Sequence, residues 1–189
     1  VTVRDFDLSH FIALKGDGLY AGFYILELLS RLVPERQSEP LIFSAALKVL
    51  ESLEEGDELE PSLRNFEMDL LHHLGFGLDF RRVAAGSIDT AKAIEPLNLY
   101  SYRPNEGFVL VPGEYAGESS LPRDLGQLLW GQEILAIAAR DFNDLAVRRA
   151  AKKLLRDALA PILGDRPLTS RMMYPNSRMV VDGQEPNRS

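Results

Sequence analysis

Pro61 to Phe80 constrains this chain more than any other stretch. Leu63, Phe66, Leu70, Leu71 and Leu74 fall at i, i+3, i+7, i+8 and i+11, which lines one face of a helix of about four turns. That spacing suits neither a strand nor a loop, so it predicts a helix with its apolar face in a core. Pro61 suits a first helical turn, where a missing N–H costs nothing, and Gly75 stands where a left-handed residue would end the helix. Phe76 could then fold back onto Leu71. Arg64, Asn65, Met68, Asp69, His72 and His73 are left facing outward, which puts a lone cation beside the edge of the apolar stripe.

The flanking sequence reads as helix as well. Asp17 can cap a helix over Leu19 to Leu32 that is apolar nearly all round, ended by Val33-Pro34, with Glu27 and Arg31 paired four apart on its wet edge. Ser38 to Leu53 forms a second helix with Phe43, Leu47, Leu50 and Leu53 on one side. The acidic residues Glu51, Glu54, Glu55, Asp57, Glu58 and Glu60 then read as a connecting loop, either solvated or repelling DNA. Three helices on short loops predict an antiparallel bundle. After Phe80 the periodicity stops, and Arg81 to Pro96 reads as an irregular excursion. Leu97 to Arg103 and Phe108 to Val111 flank Pro104-Asn105-Glu106-Gly107 as a hairpin. Leu121 to Ala139 reads as one broken or two short helices, interrupted around Trp130-Gly131, with Trp130 a core or lid residue. A last long helix runs from Asn143 or Asp144 to about Leu163, and a tail follows Tyr174.

That last helix separates its faces. Val147, Ala150, Ala151, Leu154, Leu155, Ala158 and Ile162 pack inward, while Arg148, Arg149, Lys152, Lys153 and Arg156 share one stripe. The net charge of −7 argues against a surface that binds nucleic acid all over. From Arg148 onward, however, nine Lys/Arg face four Asp/Glu, a balance of +5, which leaves −12 for residues 1 to 147. A basic end on an acidic body fits a chain that meets phosphate with one face, and counterion release would drive that binding without sequence preference. A solvated helix face is the plain alternative. His72 and His73 with Asp69 form no convincing metal set, because adjacent helical residues point about 100° apart. No cysteine is available for a disulfide or a thiolate site, and no nucleophile elbow or phosphate loop occurs. The expectation is a protein without catalysis, cofactor or metal. No apolar run is long enough for a membrane span, and cytoplasm is the expected compartment.

Three collinear motifs resemble the bacterial recombination mediator family RecO. They are Leu63-Arg64-x-Phe66-Glu67-x-x-Leu70-Leu71-x-x-Leu74-Gly75-Phe76-x-Leu78-Asp79-Phe80, the stretch Leu19-Tyr20 through Tyr24-Ile25-Leu26-Glu27-Leu28-Leu29-Ser30-Arg31-Leu32, and Arg149-Ala150-Ala151-Lys152-Lys153 running on to Pro167-Leu168-x-Ser170-Arg171. The resemblance implies a mainly α fold of five to six helices with a small β-hairpin, equivalent to the family's C-terminal region without its four-cysteine zinc module. Residues 1 to 8 would be the remnant of the last strand of an N-terminal oligonucleotide-binding barrel, most of it absent, so that the chain reads as a fragment. Residues 9 to 80 would form a three-helix core, 81 to 112 the excursion and hairpin, 113 to 174 the completing helices, and 175 to 189 a disordered tail.

For function, the resemblance implies a non-enzymatic mediator of DNA repair, cytoplasmic and associated with the nucleoid. It would bind single- and double-stranded DNA and the acidic C-terminal tail of single-strand-binding protein, act with RecR, promote strand annealing and help load RecA. The tail would dock at Leu63 and Arg64, where an arginine beside an apolar notch could grip a terminal carboxylate. DNA would meet Arg148, Arg149, Lys152, Lys153, Arg156 and Arg171, of which Arg149, Lys152, Lys153 and Arg171 match basic positions of the family's motif. Two other readings stay open: a helical adaptor that binds protein only, and a hydrolase that no motif reveals.

Overall fold

Helical periodicity accounts for most of what forms. A computed structural model describes residues 11–35, 38–84, 92–112 and 126–173. Along them run α1 (Gly16–Leu32), α2 (Pro40–Glu55), α3 (Leu59–His73), β1 (Leu99–Arg103), β2 (Gly107–Leu110), β3 (Gln127–Trp130), α4 (Gly131–Ala138), α5 (Leu145–Leu163) and α6 (Thr169–Met173). The fold is mainly α with a small antiparallel sheet. The strand expected over residues 1 to 8 and the tail expected over 175 to 189 lie outside the described residues. Among the described residues no helix is long and apolar enough to cross a membrane.

The chain groups into two units, one holding the described residues up to Ser62 and from Pro167 onward, the other running from Leu63 to Arg166. In the first unit α1 packs on α2 and on α6. α1 starts at Gly16 with Lys15 as an uncapped N-cap, so Asp17 is a first-turn residue and not the expected cap. There its charge meets the positive end of the helix dipole. Ala21, Gly22, Tyr24, Ile25 and Leu28 are buried, but Leu19, Phe23 and Leu26 are exposed, so α1 is not buried nearly all round.

α2 reverses an expectation. Its buried residues are Ile42, Ala46 and Val49, whereas Phe43 is 69% exposed and Leu47 is also exposed. This helix carries two adjacent apolar rows about 100° apart, and periodicity alone does not choose between them. Nor is the acidic run a loop. Glu51, Glu54 and Glu55 belong to α2 and Glu60 to α3, which leaves Gly56 to Glu58 as the link. Gly56 takes φ +97°, and the N–H groups of Gly56 and Asp57 both return to the Ser52 carbonyl. Glu54 accepts the Ala13 N–H at 2.6 Å, pinning the segment before α1.

In the second unit α3 closes as its sequence implies. Gly75 adopts φ +84°, its N–H reaches the His72 carbonyl at 3.1 Å, and the Phe76 N–H reaches Leu71 at 2.8 Å. Phe76 thus turns back through its backbone while its side chain stays exposed.

The hairpin forms as expected, with Tyr100 opposite Leu110 and Tyr102 opposite Phe108, turning through Asn105 and Gly107 at positive φ. It gains a partner that sequence reading missed. β3 pairs antiparallel with β1, Leu129 opposite Tyr100 and Trp130 opposite Leu99, giving the order β2-β1-β3. Gln127 to Trp130 is therefore strand where helix was expected, and α4 begins only at Gly131. Tyr100, Tyr102, Phe108 and Leu129 share a buried face, and the strand alternation turns Trp130 to the other one, where it is 45% exposed instead of sitting in the core. α4 and β3 pack on α5, whose N-cap Asp144 accepts the Ala146 N–H at 2.6 Å.

Candidate nucleic-acid interface

The inward row of α5 is Val147, Ala150, Ala151, Leu154, Leu155, Ala158 and Leu159, all buried. The first six match the expected row; Leu159 joins them and Ile162 is only half-buried. Burial of that row turns Arg149, Lys152, Lys153 and Arg156 outward, and all four are exposed. At 100° per residue they lie within about 100° of one another, one broad cationic strip. Arg148, the fifth predicted cation, is half-buried, and its Nε donates to the Phe142 carbonyl. It helps to close the turn before α5 more than it adds to the strip. Arg171 lies in α6, in the other unit.

One acid borders the strip. Burial raises the Asp157 carboxyl above the usual carboxylate range, against the opposing charges of Arg156 and Lys153. The Arg156 guanidinium is 3.9 Å from it, so Asp157 offsets part of the local positive charge. Burial and the Asp157 charge together push the Tyr102 phenol upward.

The Arg64 expectation is corrected. This side chain was expected to face outward, but it is 5% exposed and its guanidinium donates to the Glu67 carboxylate at 2.6 Å, itself buried. Leu63 is buried beside it. The helical wheel holds the reason. Arg64 and Leu71 are seven residues apart, about 700°, so they point within roughly 20° of each other. Arg64 sits on the core side, and Glu67 one turn on makes its burial tolerable.

Farther along α3, Asp69 accepts from the Arg140 guanidinium, which also donates to Asn65 Oδ1 at 3.2 Å. Arg140 follows α4 at φ +57° and fastens that end to α3. The exposed rings of His72 and His73 stand edge to face, 5.5 Å apart.

Within the first unit, Glu27 was read as the partner of Arg31 on a wet edge. The Arg31 charge does act on its carboxylate, which also accepts the Thr169 N–H at 2.8 Å, the Ser170 N–H at 2.8 Å and the Ser170 hydroxyl at 2.6 Å. Arg31 donates to the Pro167 carbonyl at 3.3 Å. Burial acts to raise the Glu27 carboxyl, but the Ser170 and Thr169 hydrogen bonds and the Arg31 charge outweigh it and hold it below its usual range. No local spacing reveals this, because the partners are 142 and 143 residues away. The same unit carries an open apolar cavity of about 390 Å³ lined by Phe11, Leu14, Leu19, Gly22, Phe23, Leu26 and Leu50.

The family model described as "Recombination protein O C terminal" matches residues 14–172. The chain is 38% identical over 173 residues to the DNA repair protein RecO of Haemophilus influenzae strain 86-028NP, covering 90% of this chain and 66% of that one. With the protein of the same name from Photobacterium profundum the identity is 35% over 176 residues, covering 92% and 68%. With that of Cellvibrio japonicus it is 37% over 168 residues, covering 87% and 65%. The chain spans about two thirds of the length of these relatives. A model match across most of the helical frame and all three motifs places this chain in the recombination protein O C-terminal family.

Proposed function

We propose that this chain is the helical region of a recombination mediator in DNA repair, and that the outer strip of α5 is its contact with DNA. The relatives are named DNA repair proteins, and that supports the repair role. The observation that carries the DNA reading is the separation of faces on α5: a fully buried apolar row fixes the helix, so Arg149, Lys152, Lys153 and Arg156 remain in solvent. Like charges at this spacing repel one another, and a phosphate backbone relieves that repulsion while releasing counterions. Single strands and duplexes both present such a backbone, so binding is not sequence-specific.

The mediator reading further assigns docking on the acidic tail of single-strand-binding protein, action with RecR, strand annealing and assistance to RecA loading, none of it requiring catalysis. Leu63 and Arg64, the expected receptor for that tail, are both buried, with Arg64 paired to Glu67. The α5 strip offers the exposed cations that a tail of this kind needs.

Fluorescence anisotropy of a labelled oligothymidylate, titrated at low salt, tests the DNA contact. Saturable binding by the chain is expected, lost when Arg149, Lys152, Lys153 and Arg156 are all changed to Gln with the circular dichroism spectrum unchanged. A flat titration with the wild-type chain would refute it. A second reading, a helical adaptor that binds protein only, draws on the exposed Phe23, Leu26, Leu41 and Phe43 of the first unit. It predicts that the fourfold variant changes solubility and nothing else.

A further inference from the structure

We propose that Asp157 is a brake on nucleic-acid binding built into the α5 strip, its carboxylate offsetting charge on Arg156 and Lys153 that a phosphate backbone would otherwise meet in full. The proposal rests on the nucleic-acid reading of that strip. Asp157 follows Lys153 by four residues, so the two point within about 40° of each other, and it follows Ala150 by seven, within about 20°. It therefore stands on the line where the exposed cations give way to the buried row, and it is half-buried there. The Arg156 Nε lies 3.9 Å from its carboxylate oxygen, too far for a hydrogen bond, and the Arg156 side chain stays 56% exposed. Lys153 precedes it at i, i+4, the less favourable order for a helical ion pair. The acid thus lowers the potential of both cations without capturing either.

This charge does not serve the fold. Desolvation outweighs the pull of Arg156 and Lys153 and leaves the Asp157 carboxyl above its usual range, so its ionised form works against folding at neutral pH. From β1 it meets the Tyr102 phenol, whose ionisation its charge opposes. β3, packed on α5, has no ionisable side chain, and Glu133, the one acid of α4, accepts the Trp130 N–H at 2.8 Å. For stability alone the neutral isostere, asparagine, would serve as well or better. What the carboxylate does change is the potential over two of the four exposed cations, and protonation at this one acid restores it.

The test is an anisotropy titration of oligothymidylate at low salt with the wild-type chain, Asp157→Asn, Glu55→Gln, and the double variant Lys153→Gln/Arg156→Gln with and without Asp157→Asn. Asp157→Asn should bind about two- to fivefold more tightly than wild type at neutral pH, and the gain should shrink as salt shortens the Debye length. The gain should also shrink as pH falls through the Asp157 carboxyl, because protonation makes the wild-type chain resemble the variant. Taking the ratio of the two affinities cancels what other carboxylates do. Glu55→Gln, exposed on α2, makes the same change in net charge and should leave affinity near wild type. In the background without Lys153 and Arg156, Asp157→Asn should gain little. Its denaturant unfolding midpoint at neutral pH should be no lower than wild type. Should Asp157→Asn not fold, Asp157→Ser takes its place with a gain of the same sign. Affinity equal to or below wild type in Asp157→Asn, an equal gain in Glu55→Gln, or a full gain in the doubly neutralised background would overturn the brake while the strip reading stands. No DNA binding by the wild-type chain would overturn the DNA reading and the brake with it.

Discussion

At the scale of single residues, buried charge decides more than exposed charge. Arg64 and Glu67 form an ion pair whose side chains are 6% and 1% exposed, so removing either takes an opposite charge away from the other inside a core. Arg64→Met or Glu67→Gln should therefore cost about 3–5 kcal/mol in denaturant unfolding, and replacing both with apolar residues should cost much less. If the single and double variants lose equal stability, the pair is not acting as a unit. Glu27 has a different signature. Its folded pKa lies below the unfolded value, so its contribution is fully present above the unfolded carboxylate pKa and is lost as pH falls through the folded one. Stability measured from neutral to acid should fall less steeply in Glu27→Gln than in the wild-type chain, and parallel curves would contradict the hydrogen bonds from α6. The Glu67 partnership was legible in principle, since Arg64 and Leu71 share a direction and Glu67 follows Arg64 by three residues. The Glu27 partnership was not, because nothing local connects position 27 with position 170.

At the scale of elements, the long helices were legible and their faces less so. α5 has one apolar row and one polar side, so periodicity gives both the element and its orientation, whereas α3 also buries Arg64 and Glu67 beside its apolar row. α2 has two apolar rows, and the buried one could be chosen only by what packs on it. β3 was misread because four residues, Gln-Leu-Leu-Trp, suit a strand or a helix equally. Pairing with β1 settles the matter, and Gly131 marks where it ends. A Cβ placed on Gly131 would lie 1.9 Å from the Glu95 carbonyl oxygen and 2.7 Å from its carbon. Backbone cannot yield like a side chain, so Gly131→Ala should force β3 and the start of α4 apart from the segment around Glu95. The expected loss is about 1–3 kcal/mol, read from thermal unfolding. An unchanged melting temperature would show that this approach is looser than described.

At the scale of the whole molecule, net charge and binding charge are different quantities. A chain of net charge −7 can still meet a polyanion where its cations are gathered on one helix face and its acids lie elsewhere. Over residues 51 to 60 six of the acids fall at the end of α2, in the link after it and at the start of α3, while the cations of α5 share their strip with Asp157 as a close neighbour. With four cations engaged, affinity for single-stranded DNA should fall roughly fiftyfold between 50 and 200 mM salt, and the fourfold variant should lose that dependence. A salt-independent affinity would mean that the α5 strip is not the contact.

What the sequence determined by itself is what depends on near neighbours: the helical frame, the Gly75 stop, the Asp144 start, the hairpin, and the outward cations of α5. Each follows from periodicity or from a backbone preference acting within a few residues. Tertiary structure alone decided the rest: the buried row of α2, the third strand, the exposure of Trp130, and the grip of Glu27 on α6. Those outcomes depend on which surfaces meet across long stretches of chain, and desolvation and hydrogen-bond pairing are settled only there.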